Sequence, residues 1–179
     1  MIEDTLPNKP SELIRVALRD LCKAEQTPWM RVNMSLWVSV RNVDGDEEYL
    51  SGGPNTCVVC LAGAAVVGSV HGFDDGELRE DGNVVKLFSD GEQVKHHSCS
   101  MNFDSVPWSV NRKMPFLNSC RHIYAGEYLD GLWNAWATTQ KQVTERIICD
   151  ERVPPYETDR DGFFRVLNKV ADIYESVGC

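Results

Sequence analysis

Asn55-Thr56-Cys57-Val58-Val59-Cys60-Leu61-Ala62-Gly63-Ala64-Ala65-Val66-Val67-Gly68-Ser69-Val70 is the stretch whose conformation decides the fold. No Asp, Glu, Lys or Arg stands between Glu48 and Asp74, so it lies inside the longest charge-free run of the chain. Gly52-Gly53-Pro54 leads in as a loop, and Asn55 and Thr56 are both residues that cap helix N-termini. Leu61, Ala62, Ala64 and Ala65 suit a helix, and Gly72 offers a stop. Val58, Val59, Val66 and Val67 speak for strand, so two short strands broken at Ala62-Gly63 compete with a helix over about 56–70. The helix is the expectation, because Ala and Gly pack poorly inside a buried strand.

A helix apolar on nearly every side is either a core helix or a membrane span. Cys57 to Val70 is 14 residues, short of the roughly 20 that a bilayer requires. A buried central helix is therefore expected. Cys60, Ala64 and Gly68 at i, i+4 and i+8 would give it one face of small side chains, open to close approach.

Working outward, the first ten residues read as an extended arm with two prolines. Ser11 is placed to cap an amphipathic helix to about Glu25, with Leu13, Ile14, Ala17, Leu18, Leu21 and Cys22 as its apolar stripe. Met30, Val32, Met34, Leu36, Val38 and Val40 alternate as in a half-buried strand, bent midway, and 47–51 reads as a returning strand. Residues 71–83 read as Gly- and acid-rich loop, and 84–88 fits helix or strand equally. Residues 89–119 show no sustained period, so they are either a functional cover or conceal further elements. Helical spacing returns near Asn118 and runs through Tyr128, Leu132, Trp136 and Ile147 until Pro154-Pro155. A last helix starts near Asp159 or Asp161, buries Phe164, Leu167, Val170, Ala171, Tyr174 and Val177, and stops at Gly178. The expected class is α+β: one helix-rich domain over 1–179 with a small antiparallel sheet.

The 179 residues carry a formal charge of −9. Asp44, Asp46, Glu47 and Glu48 form one acidic run; Asp74, Asp75, Glu77, Glu80 and Asp81, offset by Arg79, form another. Together they hold −8 of the −9, and the remainder is nearly neutral. Solvated loops and an acidic patch for a basic partner are the two readings. Direct nucleic-acid binding is disfavoured, since phosphate contacts need clustered Lys and Arg and there is no such cluster. Seven cysteines, an odd number, in a chain too long to need staples imply reduced thiols and a cytosolic setting. The first residues lack a basic n-region and an apolar h-region.

Three constellations could carry chemistry. Cys57 would stand in the first turn of the proposed helix, where backbone N–H groups favour a thiolate, with His71, His96, His97 or His122 as its base. The competing reading is a buried structural thiol. Cys57 and Cys60, with His97, Cys99, Cys120 and His122, could be drawn as a zinc site, although His-x-Cys and Cys-x-His are not common knuckles. A thioredoxin-like role for Cys57-Val-Val-Cys60 fits poorly behind Gly-Gly-Pro. Among the tryptophans Trp29, Trp37, Trp108, Trp133 and Trp136, Trp108 beside Pro107 in irregular sequence is the best candidate for contact with a partner. Gly-x-Ser-x-Gly, His-Glu-x-x-His and a phosphate-binding glycine motif are absent from the sequence.

Ser11-Glu12-Leu13-Ile14-Arg15-Val16-Ala17-Leu18-Arg19-Asp20-Leu21 and Cys57-Val58-Val59-Cys60-Leu61-Ala62-Gly63-Ala64 resemble small uncharacterised proteins of tailed bacteriophages. The likeness covers roughly the first 70 residues and, less clearly, the C-terminal helix. It implies a phage protein in a bacterial cytoplasm and transfers no functional residue. The leading expectation is a non-enzymatic accessory protein that binds a host or phage protein, with no cofactor and no membrane contact. Its binding residues would be Asp44, Asp46, Glu47, Glu48, Asp74, Asp75 and Trp108. A thiol-dependent hydrolase built on Cys57 and a zinc-stabilised module are the alternatives.

Overall fold

The computed structural model describes residues 6–28, 30–35, 38–42, 55–70, 76–78, 83–87, 93–98, 113–121 and 150–179, with side chains at 6–28, 30–35, 58–69, 113–121 and 150–179. The chain divides into two compact units, Met1–Asp4 with Arg19–Pro107, and Thr5–Leu18 with Trp108–Cys179. The class is α+β. The described elements are α1 (Pro10–Gln26), β1 (Met30–Val32), β2 (Val38–Asn42), β3 (Asn55–Val59), α2 (Leu61–Val70), β4 (Gly76–Leu78), β5 (Asn83–Leu87), β6 (Gln93–Ser98), α3 (Met114–Cys120) and α4 (Arg160–Ser176).

The deciding stretch is half strand and half helix. Thr56, Cys57, Val58 and Val59 stay extended in β3, and helix begins only at Leu61. The expected helix over 56–70 is thus corrected at its start. The β-branched residues cluster before Cys60, and the Leu-Ala-Gly-Ala-Ala run after it has little strand preference. Cys60 is the cap in place of Asn55 or Thr56: its carbonyl accepts the Ala64 N–H at 2.8 Å, and its sulfur takes the Gly63 N–H at 3.5 Å. Leu61, Ala62, Ala64, Ala65, Val66 and Val67 are all fully buried, as a helix apolar on every side requires. At ten residues α2 is about 15 Å long, half a bilayer's hydrocarbon core. Among the described residues no helix is long and apolar enough to cross a membrane.

β3 is the centre of a three-stranded sheet in the order β1-β3-β2. β1 runs parallel to it, with Met30 opposite Cys57 and Val32 opposite Val59. β2 runs antiparallel, with Val38 opposite Val59 and Asn42 opposite Asn55. The alternating stretch from Met30 to Val40 therefore breaks into two strands on either side of β3. The break is at Asn33, whose backbone N–H donates to the Val59 carbonyl at 2.9 Å and whose side chain accepts the Ser35 N–H at 2.9 Å. This turn chemistry is what lets the chain cross the end of β3. The sheet is mixed, not purely antiparallel as expected. The returning strand at 47–51 lies outside the described residues.

The second sheet, β4-β5-β6, is antiparallel throughout. β4 falls where loop was expected, and the piece that fitted helix or strand equally is the strand β5. Residues 89–119 hold β6 and α3, so this stretch conceals elements. Pro115 occupies the first turn of α3, where its missing N–H has no helical partner to lose.

In the other unit α4 is organised by both its ends. The Asp159 carboxylate accepts the Gly162 N–H at 2.9 Å. At the far end Gly178, at φ +84°, turns the chain. There the Cys179 N–H reaches the Tyr174 carbonyl and the Gly178 N–H the Glu175 carbonyl, each at 2.9 Å, a Schellman pair. The buried stripe is Phe163, Val166, Leu167, Val170, Ala171 and Tyr174. Phe163 replaces the expected Phe164, which is only half-buried and carries the Arg160 guanidinium 4.5 Å above its ring. Burying one such side chain is worth about 1.5–3 kcal/mol and a cap about 1 kcal/mol, so the stripe dominates and the caps set the ends. Tyr174 meets Phe116 of α3 edge-on at 5.7 Å. The first half of α1 joins this unit through Arg15, which pairs with Asp172 at 2.7 Å and Glu175 at 2.6 Å. Ser11 is not the cap of α1: Pro10 is already helical, the Lys9 carbonyl accepts the Leu13 N–H, and the Ser11 hydroxyl donates to the Cys179 carbonyl oxygen.

Candidate functional site

Each candidate thiol takes its position from its element. Cys57 lies within β3, with Met30 on one side and Val40 on the other, three residues short of the helix. It is not in a helical first turn, so the activation argued for it there does not apply. Cys60 is the residue at the α2 N-terminus, and it is 2 % exposed. A nucleophile must meet its substrate, and a thiol enclosed this far serves as a packed cap. Cys120, at the end of α3, is fully buried, and burial pushes its thiol well up. Among the described residues no group of three or more His, Cys, Asp or Glu is placed to hold a metal.

His96 and His97 sit on β6, within the stretch that shows no sustained period. Val94 is the lone β-branched residue of β6, and strand formation there follows from pairing with Val85, Lys86 and Leu87 of β5. His71, Cys99, Trp108, His122, Asp44, Asp46, Glu47, Glu48, Asp74 and Asp75 lie outside the described residues. Glu77, from the second acidic run, is in β4 opposite Val85.

Two polar residues that sequence reasoning passed over are enclosed. The Asp20 side chain is 3 % exposed and pairs with Arg19 at 2.9 Å. Desolvation raises its pKa, and the Arg19 guanidinium opposes that rise. A signal was present: Asp20 follows Leu13 by seven and Ala17 by three, so it falls in phase with the buried stripe of α1. Lys113, just before α3, is fully buried and donates from Nζ to the Leu6 carbonyl at 2.6 Å. Nothing in the local sequence marks it, since its partner is over a hundred residues away. Lys113 thereby ties the start of α3 to the residues ahead of α1. No protein-family model, curated protein or solved structure matches the chain.

Proposed function

We propose that this is a non-enzymatic accessory protein of a tailed bacteriophage, acting in the bacterial cytoplasm by binding a basic surface on a host or phage protein. The observation that carries the reading is the placement of charge: the runs at 44–48 and 74–81 hold −8 of the formal −9. Two short, strongly negative segments on an otherwise neutral chain concentrate the field where a basic partner would be steered, with like-charged surfaces repelled. Burial of Cys60 and Cys120 supports the reading, because thiols spent on packing fit a binding role better than a thiol-dependent reaction. The tailed-phage origin rests on the resemblance of residues 11–21 and 57–64.

The test is capture from bacterial lysate, with and without phage infection, at low and high salt. The screening length falls from about 30 Å at 0.01 M to about 8 Å at 0.15 M, so an electrostatically held partner is retained only at low salt. Replacing Asp44, Asp46, Glu47 and Glu48 with Asn and Gln should abolish capture. Equal recovery of every protein at both salt concentrations overturns the reading.

A further inference from the structure

We draw no further inference here: the strongest candidate, the side-chain pair Asn118 and Arg121 at the C-terminal end of α3, whose Oδ1 and Nε are enclosed without a hydrogen-bond partner among the described residues, carries nothing, because both residues are only half-buried and nothing in the structure shows one group meeting both atoms.

Discussion

Desolvation pushes the Asp20 carboxyl above its ordinary value even with Arg19 beside it. The unfolded chain therefore releases this proton at lower pH than the folded one. Below the unfolded value the residue is neutral in both states and costs nothing. As pH rises through the folded value stability is lost, and the loss persists at neutral pH. Asp20→Asn should accordingly gain on the parent as pH rises from about 4 to about 7, measured by melting midpoints; a constant difference across that range would show the carboxylate to be well solvated. The thiols supply a second prediction at this scale. Cys60 and Cys120 should resist iodoacetamide in the folded protein and react once it is unfolded, and Cys120 should stay slow through about pH 9 because burial holds its proton. Fast labelling of Cys60 in the native state would show that the thiol is open to solvent and not a packed cap. The enclosure of Asp20 has a signal in its helical phase, whereas the burial of Lys113 has none, because the Leu6 carbonyl that accepts its hydrogen bond is brought near only by folding.

Among the elements, α4 and α2 show what local sequence can and cannot specify. The ends of α4 were legible: Asp159 caps and Gly178 stops. Gly162 is part of the same device, since a Cβ there would come within 2.1 Å of the Asp159 carboxylate that caps it. Asp159→Ala should cost about 1 kcal/mol. Gly162→Ala should gain less than the roughly 1 kcal/mol expected of that change inside a helix, because it displaces the cap. In the Asp159→Ala background the full gain should return, and a denaturant double-mutant cycle reads the difference; strict additivity would separate Gly162 from the cap. In α2 the fully buried Ala64 leaves no room for a branched chain. Ala64→Leu should destabilise by about 1–3 kcal/mol, and an unchanged melting midpoint would mean the site is not close-packed. The start of α2 was misplaced because Asn55 and Thr56 have cap chemistry, yet a cap works only where helix follows. Thr56 to Val59 are held extended by pairing with Met30–Val32 and Val38–Asn42.

For the whole molecule, the segregation of charge predicts kinetics more than stability. Association with a basic partner should slow steeply as salt rises, while dissociation changes little, and stopped-flow mixing checks it. A salt-independent association rate would detach the acidic runs from binding. The α+β class, the apolar all-round helix, the two amphipathic helices and the concentration of charge are properties of composition and period, which each segment carries on its own and which can be read without any fold. Strand partners are different. Nothing local tells Met30–Val32 to run parallel to β3 and Val38–Asn42 antiparallel, or opposes two histidines to Val84. Nor does local sequence assign the cap of α2 to a cysteine or enclose Lys113. Those were decided by tertiary structure, because backbone hydrogen bonds between strands and the burial of polar side chains depend on which distant segment arrives to satisfy them.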